Sequence, residues 1–147
     1  MADSDLMKLY SARILGLAAD MPRTTRLPAP SATAKKRAPL CGSTVTVDVV
    51  LSDGKITEFG QDVKACALGQ AAASVVGQQV VGLTPQQIQD GRDALAAMLK
   101  DEGPVPSAPF GDLEVLLPAR EFKNRHASIL LAFDATLAAL AQIDTGT

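Results

Sequence analysis

The spacing of apolar residues predicts that the chain begins with a helix. Between residues 4 and 20, apolar side chains recur every three or four positions, the spacing of one buried face of an α-helix. They are Leu6, Leu9, Tyr10, Ile14 and Leu17. Met21-Pro22 is predicted to end this helix, because proline disfavours helical backbone in the residue before it.

The middle of the chain has the alternating, β-branched pattern of strands. Residues 31–37 alternate weakly and predict an edge strand, whereas residues 44–51 are strongly β-branched. Asp53-Gly54 supplies the positive-φ positions of a tight hairpin turn. Residues 56–63 are then predicted to form the return strand of an antiparallel hairpin.

The second half of the chain is predicted to be helical. Residues 65–80 are rich in alanine and predict a buried helix that begins close to Cys66. Thr84-Pro85-Gln86-Gln87 has the N-cap, first-turn proline and N3 glutamine of a helix start. A loop with three prolines (103–111) leads to a short helix ending near Leu117, and residues 121–143 predict the last helix. The buried stripes of the last two long helices are expected to be Ile88, Leu95, Met98 and Leu99, and then Ile129, Leu130, Phe133, Leu137 and Leu140.

The order of these elements predicts the fold class. A helix, then strands, then helices favours an α+β fold with helices packed on one face of a small antiparallel sheet. The length of 147 residues fits a single domain, 1–147. Because aromatic residues make up only 3% of the chain, we expect an aliphatic core.

Charge and hydropathy narrow the function classes. The net charge of −2 argues against nucleic acid as a partner, because phosphate binding needs a basic surface. The sequence lacks an apolar run of about 20 residues that would span a bilayer and a secretory signal pattern at its beginning. We therefore expect a cytoplasmic protein, in which paired cysteines more often indicate metal or redox chemistry than a disulfide.

The two cysteines occupy matching places on either side of the hairpin. Cys41 comes just before the first hairpin strand, and Cys66 comes just after the return strand. Because a hairpin returns the chain close to its start, both thiols are expected at the same end. A helix N-terminus at Cys66 would stabilise the thiolate. The alternative interpretation is that each cysteine is a small buried hydrophobe.

His126 is the only histidine in the chain and precedes the apolar part of the last helix. A neutral imidazole at that place is a candidate third ligand for a soft metal. The alternative is an exposed histidine at a helix start. Asp62 and Lys64 lie near Cys66 in sequence, and the simplest interpretation makes them surface charges on a strand end.

Several short segments around these residues resemble motifs of the IscU/NifU/SufU-type iron–sulfur scaffold family. Cys41-Gly42 preceded by Pro39 resembles its Pro-x-Cys-Gly-Asp motif, and the hairpin falls between the two cysteines as in the family. Cys66 followed by small residues resembles its Gly-Cys-x-x-x-x-Ala-Ser helix start. The remaining similar segments are Leu9-Tyr10, Met21-Pro22-Arg23 and His126-Ala127-Ser128-Ile129-Leu130.

The resemblance implies an α+β fold with a three-stranded sheet and helices on one face. It implies a non-enzymatic scaffold whose cysteines assemble a transient [2Fe–2S] cluster or hold zinc. The implied ligands are Cys41, Cys66 and His126, with Ser43, Lys64 and Arg125 as candidate neighbours of these ligands. The implied partners are a cysteine desulfurase and cluster-acceptor proteins, and the chain itself is expected to be a monomer or weak homodimer.

The chain also departs from the family's pattern. Ser43 stands where the family has the aspartate of its Cys-Gly-Asp motif, and Ala127 stands where the family has a third cysteine. Two thiolates and one imidazole are fewer than the four ligands usual for structural zinc or a [2Fe–2S] cluster. Two other functions therefore stay open: an interaction module without stable metal binding, and a thiol sulfur carrier in which Cys66 is the reactive thiol.

Overall fold

The structure is a computed structural model that describes residues 11–39 and 42–143. Its helices and strands follow the predicted order. They are α1 (Ala12–Ala19), β1 (Ala32–Arg37), β2 (Thr44–Ser52), β3 (Lys55–Lys64), α2 (Ala67–Gln79), α3 (Pro85–Lys100), two 3₁₀ segments (Gly111–Glu121 and Lys123–Arg125) and α4 (His126–Ala141). The α+β class is confirmed, with one three-stranded antiparallel sheet in the order β1-β2-β3.

The β2–β3 hairpin brings the two ends of its strands together. Asp53 and Gly54 both have positive φ (53° and 78°), the backbone that a tight two-residue hairpin turn requires. At the opposite end, Thr44 pairs with Lys64. The register shifts once, between Val50 and Leu51, so β3 carries an extra residue there. Because of the pairing with Thr44, Lys64, two residues before Cys66, lies beside the start of β2.

The helices pack on one face of the sheet. Val45, Val47 and Val49 of β2 are buried on this inner face, where α4 packs against β1 and β2. The predicted stripes of α3 and α4 are buried, except that Leu137 is only partly so. The core also has an aromatic contact that the expected aliphatic core did not include: Phe110 and Phe133 meet edge to face, with ring centroids 5.2 Å apart.

The connector between α1 and β1 lies across the outer face of the sheet. Asp48 of β2 points to this face and is fully buried, because the connector covers it. Arg26 donates to both carboxylate oxygens (2.6 and 3.1 Å), the Leu27 amide donates at 3.0 Å, and Thr33 donates its hydroxyl. Gly60 sits beside Asp48 on β3, and a Cβ there would collide with the connector's backbone.

The outer edge of β3 is closed by backbone hydrogen bonds to two loops. The Gln61 amide donates to the Arg23 carbonyl at 2.9 Å. The Ile56 amide donates to the Leu83 carbonyl at 2.9 Å, and its carbonyl accepts from Gly82 at 2.7 Å. The other edge of the sheet is β1, whose last three residues, Lys35-Lys36-Arg37, are exposed.

The structure differs from the sequence predictions mainly at helix ends. The described part of the first helix begins at Ala12, capped by the Ser11 hydroxyl, and residues 4–10 of the predicted helix lie outside the described residues. The last helix begins at His126 instead of residue 121, because Phe122 has non-helical backbone angles (φ −107°, ψ 72°). The predicted capping box of α3 is present in full. Across residues 11–39 and 42–143, no helix has the length and apolarity needed to cross a membrane.

Candidate functional site

Cys66 is the N-cap residue of α2. β3 ends at Lys64 and α2 begins at Ala67, so Cys66 lies in the bend between them, with extended backbone (φ −66°, ψ 169°). Its sulfur forms no capping hydrogen bond of regular geometry, but the first free amides of α2 lie next to it. The predicted position of Cys66 at a helix N-terminus is confirmed.

Cys66 opens into a surface pocket of about 360 Å³. The pocket lies where the start of β2, the end of β3 and the start of α4 meet. Its lining is Gly42, Ser43, Lys64, Ala65, Cys66, Asn124 and Arg125. The three predicted neighbours of the ligands, Ser43, Lys64 and Arg125, are therefore brought together with Cys66. Two of them are cations, so the pocket favours an anionic group.

The loop that carries Cys41 is anchored at both of its ends. The Gly42 amide donates to the Ala38 carbonyl and the Ala38 amide donates to the Ser43 carbonyl, both at 2.9 Å. Gly42 has positive φ (69°), which suits glycine in this turn. Cys41 itself lies outside the described residues, so its approach to Cys66 stays a prediction, although its neighbour Gly42 lines the Cys66 pocket.

Two buried serine hydroxyls stand in line with the sulfur of Cys66. Ser128 Oγ lies 3.7 Å from Cys66 Sγ, and either atom can be the donor. Ser128 Oγ also hydrogen-bonds to Ser43 Oγ at 2.9 Å. Ser128 is 1% exposed and Ser43 is 4% exposed, and within residues 11–39 and 42–143 this line supplies hydrogen-bond partners to both buried hydroxyls.

The pKa of the Cys66 thiol is lowered. Burial of the half-buried side chain acts in the opposite direction and raises the pKa, but several hydrogen-bond donors together outweigh it. They are the amides of Gly69 and Leu68, the Ser128 hydroxyl and the Arg125 side chain. Because each donor stabilises negative charge on sulfur, the site favours the thiolate, the form that binds metal and attacks sulfur.

His126 is buried at the first position of α4. Its side chain is 4% exposed, so the alternative of an exposed histidine at the helix start is wrong. Nε2 lies 3.0 Å from the carbonyl oxygen of Ala119. A carbonyl only accepts, so Nε2 is the donor in this contact. His126 is absent from the lining of the Cys66 pocket, and its role as a metal ligand stays a prediction.

The donors in the described part of the site fit a metal or cluster only in part. Cys66 supplies one soft thiolate at a pocket mouth, with hydrogen-bond donors around it. In residues 11–39 and 42–143, three or more His, Cys, Asp or Glu side chains are nowhere grouped to hold a metal ion. A complete ligand set therefore needs Cys41, which lies beside the described pocket residue Gly42.

Sequence reasoning assigned no role to Ser128 or Asn124. Asn124 lines the pocket, and Ser128 contacts the Cys66 sulfur. The position of Ser128 in the sequence could have indicated a role. It lies two residues after His126, in the segment that resembles the family's His-Cys-Ser-Ile-Leu motif. A serine near a helix start is so often a local cap that its contact with a residue on another helix was not evident.

Comparison with solved structures defines the family. The N-terminal part of a nitrogen-fixing NifU-like protein from Brucella abortus is similar over 97% of this chain and 99% of its own, with 43% sequence identity and a TM-score of 0.93. At this identity and coverage, the chain belongs to the IscU/NifU/SufU-type scaffold family. The family resemblance and the fold that it implied are both confirmed.

Two more distant structures share the fold. A putative iron–sulfur cluster assembly scaffold protein for the SUF system from Fervidobacterium islandicum AW-1 is 19% identical, with a TM-score of 0.82 over 90% of this chain and 96% of its own. A hypothetical protein is 18% identical, with a TM-score of 0.76 over 96% and 99% of the two chains. No protein-family model and no curated protein sequence matches the chain.

Proposed function

We propose that this chain is a scaffold on which an iron–sulfur cluster is assembled and from which it is passed on. The observation that carries the proposal is the Cys66 thiol, which stands at the mouth of a pocket with donors that favour thiolate. Membership of the scaffold family supports the same function. Cys41, Cys66 and His126 are the proposed ligands of a transient [2Fe–2S] cluster or of zinc.

The proposed partners follow from this role. A scaffold needs a sulfur donor and an acceptor, and we propose a cysteine desulfurase and cluster-accepting proteins in the cytoplasm. The cationic side chains of Lys64 and Arg125 line the pocket beside Cys66. They suit the arrival of anionic sulfur, because opposite charges attract in a partly desolvated pocket.

Anaerobic reconstitution with iron and sulfide tests the scaffold function. The wild-type chain is expected to gain iron, sulfide and visible absorption, and C41A/C66A is expected to gain none of the three, since it removes both cysteines of the chain. Ser74→Ala is the matched control, because it removes a buried polar atom from α2 well away from the pocket. Equal iron and sulfide in wild type and the double variant would refute the proposal.

His126→Ala separates ligation from folding at the third proposed ligand. If His126 is a ligand, the variant loses metal while circular dichroism shows that it stays folded. Leu117→Ala is the control that keeps the imidazole and should keep the metal, because Leu117 is an exposed residue of the same 3₁₀ segment as Ala119. Metal content that stays at the wild-type level in folded His126→Ala would remove His126 from the ligand set.

The lowered pKa of Cys66 also favours a second function, that of a sulfur carrier. In that case the Cys66 thiolate attacks the outer sulfur of a donor persulfide, forms a Cys66 persulfide and releases the donor as a thiolate. Mass spectrometry after incubation with a desulfurase and cysteine would detect the added sulfur on Cys66. Sulfur retained on Cys66 without any cluster under reconstitution would favour the carrier over the scaffold.

A further inference from the structure

The hydrogen-bonded line Cys66–Ser128–Ser43 has a direction, because each hydroxyl has only one proton. When Cys66 is a thiol, its S–H donates to Ser128 and the Ser128 hydroxyl donates to Ser43, at the distances of 3.7 and 2.9 Å. A sulfur bound to a metal or cluster has no proton and only accepts. Ser128 must then turn its O–H towards the sulfur, and it becomes an acceptor for the Ser43 hydroxyl.

We propose that Ser128 and Ser43 are positioning residues for the sulfur of Cys66, forming a hydroxyl chain that reverses its direction when a metal or cluster replaces the thiol proton. The proposal rests on the scaffold function proposed above. Both hydroxyls are almost fully buried, so water does not easily replace either partner. The hydroxyl chain leads from the sulfur of the α2 N-cap residue, through Ser128 on α4, to Ser43, which directly precedes β2.

Reversal requires a residue at position 43 that donates and accepts. A serine hydroxyl does both, whereas an ionised carboxylate only accepts. An aspartate at position 43, as in the family motif given above, would always accept the hydrogen bond from the Ser128 hydroxyl. The sulfur would then lack Ser128 as a donor. Ser43 therefore changes what the sulfur of Cys66 receives, and hydrogen bonds to sulfur are among the features that set the reduction potential of a cluster.

The S–H stretching band of the metal-free protein, recorded at a pH acidic enough to protonate Cys66, tests whether the chain of hydroxyls exists. In Cys41→Ala, Cys66 is the only thiol of the chain, so its band is resolved without overlap. Adding Ser128→Ala is expected to move the band to higher frequency, because the S–H loses its acceptor, and Ser128→Thr is expected to restore it. The same band in Cys41→Ala and Cys41→Ala/Ser128→Ala would overturn the proposal.

Cobalt(II) is the probe for the loaded state, since its sulfur-to-metal charge-transfer band reports electron density on the sulfur. With both cysteines present, Ser128→Ala and Ser43→Asp are each expected to move this band to lower energy, because each removes the donor from the sulfur. Ser43→Ala is expected to move it less, since Ser128 still reaches the sulfur. Zinc affinity of Ser128→Ala is expected to fall about tenfold, as for other outer partners of metal ligands.

A buried hydroxyl far from the sulfur provides the matched control. Thr136 lies on α4 like Ser128, and its hydroxyl bonds to the Ala132 carbonyl within the same helix. Thr136→Val should leave the cobalt band in place. A band in Ser43→Asp at the wild-type position would overturn the reversal. If wild type binds no cobalt, the reversal on metal binding is wrong, while iron and sulfide content separately decides the scaffold function and the S–H band decides whether the hydroxyl chain exists.

Discussion

The carboxylate of Asp48 and the sulfur of Cys66 show two ways in which this fold accommodates negative charge. Asp48 lies on the outer face of the sheet, where Arg26, Leu27 and Thr33 supply two donors to each of its oxygens. Cys66 also has several donors, but its sulfur remains half-buried at a pocket mouth. The carboxylate of Asp48 has no acceptor site left for a ligand, because each oxygen already has two donors. The sulfur of Cys66 still faces the pocket and can bind one. The first group therefore stabilises the fold, and the second is suited to chemistry.

Removal of the Asp48 carboxylate should have the largest effect on stability. In Asp48→Ala the buried amide of Leu27 and the hydroxyl of Thr33 lose their acceptor, so the free energy of unfolding is expected to fall by about 3 kcal/mol. Denaturant titration measures this change. Alkylation of Cys66 in the folded variant should proceed at the wild-type rate, and a slower rate would show that the two regions are coupled.

The same carboxylate should make stability depend on acidity. Burial raises the pKa of Asp48, but the hydrogen bonds from Arg26, Thr33 and the Leu27 amide outweigh it and hold the pKa below the ordinary value. Its contribution is therefore complete above the ordinary carboxyl pKa and is lost as the pH falls through the lowered one. Denaturant titrations across this range should show a smaller acid loss in Asp48→Asn. Equal acid losses would contradict the assignment.

Gly60 tests how closely the connector must approach the sheet. A Cβ at position 60 would collide with the backbone carbonyl of Thr25, so Gly60→Ala is expected to cost about 2 kcal/mol through overpacking. Gly16→Ala is the matched control, because a Cβ there meets no atom within 4 Å. In helix α1 that change should be neutral or stabilising by up to about 1 kcal/mol. Thermal unfolding of both variants distinguishes the two results.

The reactivity of Cys66 should change with one neighbouring cation and not with another. In Cys41→Ala, the pH profile of alkylation should give a pKa below the ordinary value of about 8.5. Arg125→Gln should raise it, because Arg125 is one of the donors to the sulfur. Lys123→Gln is the control, because it removes the same charge from an exposed residue of the 3₁₀ segment Lys123–Arg125. It should leave the pKa of Cys66 unchanged. Equal shifts in the two variants would mean that only net charge matters.

Replacement of Cys66 should have the smallest effect on stability. Because its side chain is only half-buried and its donors lie beside an open pocket, Cys66→Ser is expected to change the free energy of unfolding by less than about 1 kcal/mol. Denaturant titration in parallel with Asp48→Ala makes the comparison direct. A loss as large as that of Asp48→Ala would mean that Cys66 is also a structural residue.

The sequence predicted the elements whose causes are local. Asp53-Gly54 marks the hairpin turn and Thr84 to Gln87 marks a helix start, because turn backbone and capping depend on neighbours in the chain. The late start of α4 at His126 was missed, since the apolar spacing continues through Phe122 while the backbone there is not helical. Spacing reports which side chains can share a face, but not where packing interrupts a helix.

The candidate site was predictable only where the hairpin dictates it. Strand pairing places Cys66 beside the start of β2, so its proximity to Ser43 follows from the alternating pattern. The contact of Ser128 with the sulfur depends on how α4 packs against α2, which no local pattern encodes. The burial of Asp48 was missed for the same reason, because an outward-facing residue of a strand is covered by a connector from elsewhere in the chain.

The two edges of the sheet bear on how copies of this chain meet. An exposed strand edge is a template for strand addition and aggregation unless it is covered or charged. The β3 edge is covered through Gln61 and Ile56, whose amides are already paired with loops, and the β1 edge carries three exposed cations. Continuous sheets across molecules are therefore disfavoured at both sides. The hairpin that positions the reactive sulfur is thereby protected from the misassembly to which open sheets are prone.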